Sequence, residues 1–139
     1  MAAYNKFQSF VEAISEKVHN LGADVLKVAL SNTLPVNTNT QLSNITQIAG
    51  VNGYTTGGTA ATLTSSVQTA GTYKLVLQDV TFTASGGSIG PFQYVVLYND
   101  TATNDELISW YDYGTAITIT SGNSFTVDFD ASAGVLTIV

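Results

Sequence analysis

The chain has no cysteine and no arginine, one histidine, one tryptophan and two prolines among 139 residues. Without cysteine there is no disulfide, no thiolate nucleophile and no thiolate metal ligand. A single histidine, His19, excludes a cluster of histidine ligands and leaves at most one histidine-dependent catalytic centre. Its expected place, in the last turn of a helix, suits a capping or surface role, where a cation meets the negative end of the helix dipole. Charge is scarce as well: 10% of residues carry it, against about 25% in ordinary soluble domains. The basic residues are Lys6, Lys17, Lys27 and Lys74, and from Leu75 onward every charged residue is acidic. A net charge of −6 without arginine leaves little to neutralise phosphates, which argues against nucleic acid and against an anionic membrane surface. No apolar run reaches the roughly 20 residues of a membrane span. The opening residues 1–10 lack the charged-then-apolar layout of a secretory signal, so synthesis in a cytoplasm is expected.

What fills the sequence instead is threonine, serine, asparagine, glycine and a 45% share of hydrophobic residues, the material of strands and tight turns. The length fits one domain with its own core. Residues Gly90 to Gly114 hold the densest aromatic pattern and read as a hairpin. Phe92, Tyr94, Val96 and Tyr98 alternate with Gln93, Val95 and Leu97; Leu107, Ile108, Trp110, Tyr111 and Tyr113 follow a polar turn over Asn99–Asp105. Aromatic side chains bury large areas, so this hairpin is the expected centre of the core.

Taken in order, residues 1–22 are expected to carry an N-terminal amphipathic helix. Phe7, Phe10, Val11, Ile14, Val18 and Leu21 recur at helical spacing from Tyr4 to Leu21, and Gly22 is placed to stop it. Residues 23–139 are expected to form a single β domain. Asp24–Ser31 alternates as a strand, whereas 32–58 is irregular, with Ile45 and Ile48 as buried points and Thr33–Gln41 as an exposed arm. Ala60–Gln68 and Tyr73–Ala84 read as long strands around a Thr69-Ala70-Gly71 turn; Thr115–Thr120 and Ser124–Phe129 flank Ser121-Gly122-Asn123, and Val135–Val139 ends the chain. About eight closely spaced strands predict a mainly β fold, an antiparallel β-sandwich or barrel.

Chemistry-bearing groupings are few. Asp128 and Asp130 share a strand face, and Asp100, Asp105 and Glu106 share one loop, but neither group has the spacing of an EF-hand loop, and both read best as solvated carboxylates. Gly53–Ala60 is glycine-rich without the lysine and following helix of a phosphate cradle. Tyr111 and Tyr113 fall on the face opposite Trp110 and offer a sugar-stacking pair, with core or interface packing the plainer alternative. The inventory predicts no enzyme, no cofactor, no catalytic residue and no metal site.

The order L-K-V-A-L (Leu26–Leu30), N-G-Y-T-x-G-G (Asn52–Gly58), G-P-F-x-Y-x-V-L-Y-N-D (Gly90–Asp100), L-I-x-W-Y-D-Y-G (Leu107–Gly114) and F-T-V-D-F-D…G-V-L-T (Phe125–Thr137) resembles small virion structural proteins of tailed bacteriophages. The resemblance covers roughly Leu26 to the C-terminus and implies a virion protein, made in the host cytoplasm, of the capsid decoration or cement kind. It further implies the major capsid protein as partner and a homotrimer as the assembly. A tail, fibre or head–tail junction component, or a carbohydrate-binding adhesion module, is the alternative. The candidate partner interface consists of the helix stripe (Phe7, Phe10, Val11, Ile14, Val18) and the arm (Leu34, Pro35, Val36).

Overall fold

The computed structural model describes residues 2–139. Its elements run β1 (Ala3–Lys6), α1 (Ser9–Ser15), β2 (Leu26–Ser31), a 3₁₀ turn (Leu42–Asn44), β3 (Thr59–Ala61), β4 (Leu63–Thr69) and β5 (Thr72–Leu77). There follow β6 (Val80–Thr83), β7 (Ile89–Asn99), β8 (Leu107–Ile119), β9 (Ser124–Val127) and β10 (Leu136–Ile138). The fold is mainly β, with antiparallel pairing throughout, as the alternation predicts.

One sheet has the order β1-β8-β7-β2-β3; β10-β5-β4 and β6-β9 form two smaller sheets. The large sheet packs on the small ones through Leu26, Val28, Leu30, Val95, Leu97 and Ile108 on its side and Leu75, Leu77, Val80, Phe82, Val127 and Phe129 on theirs, giving a sandwich-like pair of layers. Among the described residues ten strands stand where about eight were expected: two long runs divide, Ala3–Lys6 adds a strand, and the expected strand Thr115–Thr120 is instead the end of β8. The chain changes sheets at Thr62, between β3 and β4, and again at Gln78-Asp79, between β5 and β6. A threonine-rich alternation continues unbroken across such a crossing, so pattern alone does not mark it.

The aromatic hairpin is the centre of the large sheet, β7 lying between β8 and β2. Tyr94, Val96 and Tyr98 share one face, as alternation requires. Phe92 does not join them: register shifts on both sides of it turn its side chain to the main core with Val95 and Leu97. A further shift, opposite Leu97 and Tyr98, adds Ile108 as an extra residue of β8 and sends it to the main core, while Leu107 and Trp110 stay on the other face.

That other face is also buried. Phe7, Ala29, Ile45, Tyr94, Val96, Tyr98, Leu107 and Trp110 form a second apolar cluster, with Leu42 packed against it. Its cover comes largely from the irregular segment 32–58, which is held down by hydrogen bonds. Buried Ser31 Oγ donates to the Thr46 carbonyl (2.6 Å). Asn44 Oδ1 accepts from the Thr40 and Gln41 amides (3.1 Å each), and the Leu42 amide donates to the Asp105 carbonyl (3.0 Å). Tyr54, almost fully buried, donates its hydroxyl to Gln47 Oε1 (2.7 Å) and accepts from the Leu30 amide (3.0 Å), an exchange that pins the segment to β2. Burial pushes the Tyr54 hydroxyl up to about 12, against which the Leu30 hydrogen bond works, so it stays protonated and able to donate.

The expected helix over Tyr4–Leu21 is corrected to Ser9–Ser15. Ala3–Lys6 instead pairs with β8, Tyr4 opposite Tyr111 and Lys6 opposite Ser109, adding a fifth strand to the sheet. The helix stops at Lys17, which takes a left-handed backbone (φ 68°) while the Val18 amide reaches back to the Ala13 carbonyl (2.9 Å), the hydrogen bond of a Schellman stop. Gly22 is not the terminator. Residues 20–24 form a separate turn, in which the Asp24 amide donates to the Asn20 carbonyl (2.8 Å) and the Asn20 amide to Asp24 Oδ2 (2.8 Å). Among the described residues no helix is long and apolar enough to cross a membrane.

Candidate functional site

The eight residues expected at a partner interface divide sharply. Phe7 is completely buried in the second cluster and Phe10 sits in the main core, so neither is available to a partner. Each buried phenylalanine contributes about 1.5–3 kcal/mol to the chain's own fold. Ile14 packs against the main core, and with the half-buried Val18 lines a cavity beside His19. Of the helix stripe only Val11 faces out, half exposed. The larger residues of the stripe therefore pack within the chain's own core.

The arm behaves differently. Leu34 is 60% and Val36 55% exposed, while Pro35 between them is buried. The loop is not free: the Gln8 amide donates to the Asn37 carbonyl (2.9 Å), Asn39 Oδ1 accepts from the Val36 amide (2.9 Å), and the Asn39 amide returns to the Val36 carbonyl (2.8 Å). Leu34, Pro35 and Val36 line a groove of about 410 Å³ with Asn5, Lys6, Asn37 and Trp110. Trp110 is buried against Phe7 (centroids 4.6 Å apart), and its indole N–H has no acceptor among the described residues. Beside the groove, β1 is an edge strand with one hydrogen-bonding side unpaired by the sheet. Two exposed apolar side chains and an open strand edge thus meet at one place, above the buried indole of Trp110. Sequence reasoning found Leu34 and Val36 but missed Trp110 and β1, since neither the pairing of Ala3–Lys6 nor the seating of Trp110 beneath the loop is a local property.

The acidic loop 99–106 is built around Asn99. Lys27 pairs with Asp100 (3.1 Å), and Asp105 is raised from its ordinary value by desolvation and by the charges of Asp100 and Glu106. No group of three or more histidine or acidic residues placed to hold a metal occurs among the described residues. Tyr111 and Tyr113 do share a face, as alternation predicted, and line a cavity with Tyr4, Asp128 and Asp130.

His19 is not the surface cap its position suggested. It lies outside the shortened helix, 4% exposed, stacked on Phe10 (centroids 5.5 Å, planes 26° apart). Asn99 Nδ2 stands 3.0 Å from His19 Nδ1 and donates to Asp24 Oδ2 at 2.6 Å. An amide donor facing Nδ1 assigns the ring's hydrogen to Nε2, which has no partner among the described residues. Burial lowers the His19 pKa; Glu106 and Asp24 work in the opposite direction without reversing it. A folded-state pKa below the unfolded value near 6.5 means that the unfolded chain takes up the proton first. Stability is then full above roughly pH 6.5 and is lost as pH falls from there toward the lowered folded value. Thermal melts between about pH 7.5 and 5.5 should show Tm falling with pH, and His19→Gln should flatten that slope; an unchanged slope would assign the effect to other groups.

Comparison of the chain with known protein families, with curated proteins and with solved structures found no match.

Proposed function

We propose that this chain is a non-enzymatic structural protein of a tailed-bacteriophage virion, of the decoration or cement kind. It binds the assembled shell and stabilises it. The observation that carries the reading is the convergence of exposed Leu34 and Val36, seated over buried Trp110, at the unpaired edge of β1. Interface centres are enriched in such aromatic and apolar groups and depleted in charge, and the sparse charge of the whole chain agrees. An ordered loop loses little freedom on docking, which favours affinity. The partner is the major capsid protein, and the assembly on the shell is a homotrimer. A protein that binds the assembled shell but not its separate subunits stabilises it by mass action, needing no turnover.

The test is co-sedimentation of the purified protein with expanded shells that lack it, with sizing of the free protein alongside. Saturable binding to shells is expected, and Leu34→Asp/Val36→Asp should weaken it by about tenfold or more, as loss of a central apolar contact does, with unfolding stability within about 0.5 kcal/mol of the parent because both side chains are exposed. Binding that survives the double substitution would remove the groove from the interface. No binding to shells, or labelled protein found on tails in electron micrographs, would overturn the decoration reading.

A further inference from the structure

The cavity of about 410 Å³ between β1, β8 and the segment after β9 is chemically unlike the Leu34 groove, and nothing in the shell-binding reading uses it. Tyr4 and Tyr111 form a corner, their centroids 5.5 Å apart and their planes 66° from parallel. Tyr111 is backed by Phe129 (6.0 Å) and Tyr113 by Phe125 (5.2 Å), so the rings of the wall are packed in place. Asp130 Oδ1 accepts from the Ser132 and Ala133 amides (2.8 and 2.9 Å), which fixes the carboxylate and holds its pKa below the ordinary value. Asp128 lies near enough to raise the Tyr113 pKa, after burial the larger cause. Among the described residues no basic side chain lines the cavity; Lys74, which donates to the Ser132 carbonyl (2.9 Å), stands outside the lining and near enough to help lower the Asp130 pKa.

We propose that this cavity is a binding site for an organic ammonium group, bounded by the rings of Tyr4, Tyr111 and Tyr113 and by the carboxylates of Asp128 and Asp130. Aromatic faces carry negative quadrupole density and attract cations, quaternary ammonium most of all. Two carboxylates add to that field and repel anions. The cavity falls within the roughly 300–1,000 Å³ range of small-ligand sites. A neutral sugar gains from the rings but nothing from the charge of the two carboxylates, so the chemistry favours the cation. The ammonium can belong to a free amine or to a lysyl side chain of another protein.

Titration of the full chain, followed by NMR shifts of the tyrosine rings, uses four probes: choline, its uncharged tert-butyl isostere neohexanol, N-acetyl-lysine methylamide and methyl glucoside. Saturable binding of choline or the lysine derivative is expected, with neohexanol at least about fivefold weaker. Tighter choline identifies a free quaternary amine and tighter lysine derivative a protein side chain. Asp128→Asn/Asp130→Asn, which keeps the turn because asparagine retains the accepting oxygen, should weaken the cation by a similar factor. The proposal fails if neohexanol binds as well as choline, if the double variant binds unchanged, if only the sugar binds, or if no cation saturates. Shell binding by the double variant should equal that of the parent, so failure here and failure of the decoration reading are read separately.

Discussion

Gly58→Ala is expected to leave the chain barely folded, with a loss of about 3 kcal/mol or more, in the range that backbone collisions in a packed core produce. Gly58 precedes β3 with φ at 77°, a left-handed backbone that costs a side-chain-bearing residue about 1–2 kcal/mol by itself. Steric collision costs more. A Cβ there would overlap the Val28 carbonyl and press on Ala29 Cα at 3.0 Å, both of them backbone of β2, which cannot rotate away. Ala29 and Val28 are fully buried, one on each face of the large sheet, so relief would require moving a central strand. Gly71→Ala is the control: its φ is 84°, yet nothing lies within 4 Å, so only the conformational cost of about 1–2 kcal/mol should appear. Urea denaturation of both variants gives the comparison. Equal losses would mean that β3 does not approach β2 as closely as the register states.

The same position explains why the long segment 32–58 behaves as part of the fold. Its far end is fixed by the close approach of Gly58 and by the Tyr98 hydroxyl donating to the Gly57 carbonyl. Its middle is held by Tyr54 and Gln47, and its start by Ser31. An arm anchored in this way presents Leu34 and Val36 in a fixed geometry, which is what a docking surface requires and a flexible tether lacks.

The β class and the central hairpin were legible because alternation over Tyr94–Tyr98 and the polar turn after it are local signals, as is the turn at Ala70-Gly71, both residues having positive φ. The split of two long strands was not, since Thr62 and Gln78 look like their neighbours. The N-terminal stripe misled for a definite reason. Helical spacing of Phe7, Phe10, Ile14 and Val18 is real, but Phe7 serves the second cluster and Phe10 the main core, so they bury against opposite faces of one sheet. A single helix face cannot do both, and the chain resolves the conflict by pairing Ala3–Lys6 as a strand. Of the candidate site, the two exposed apolar residues could be read from composition. The indole below them and the tyrosine from β1 that joins Tyr111 and Tyr113 depend on strand pairing across more than a hundred residues.

Asn99→Leu should rank beside Gly58→Ala, losing about 3–5 kcal/mol, the range for breaking a fully buried hydrogen-bond network. Asn99 is inaccessible to solvent, and leucine repeats its branched outline with bulkier methyls in place of the oxygen and the amide, so the lost hydrogen bonds are joined by a smaller overpacking cost. Its Nδ2 serves His19 and Asp24, while its Oδ1 accepts from the Thr101 and Ala102 amides (3.0 and 3.2 Å). Leucine leaves all four groups without that partner. With no cysteine in the chain, this polar knot fastens the turn of the central hairpin to the segment after α1, as a disulfide would in another protein. Asn99→Asp separates donor from acceptor. It keeps the oxygen for Thr101 and Ala102 but sets a carboxylate against Asp24 and gives His19 an anionic neighbour. The His19 pKa should then rise above its unfolded value, so the stability it contributes is present at low pH and lost as pH climbs through the raised value. Between about pH 5 and 8 the slope of Tm against pH should therefore invert relative to the parent chain. Retention of the parent slope in Asn99→Asp, or a loss below about 1 kcal/mol in Asn99→Leu, would show that Asn99 does not hold His19 and Asp24 together.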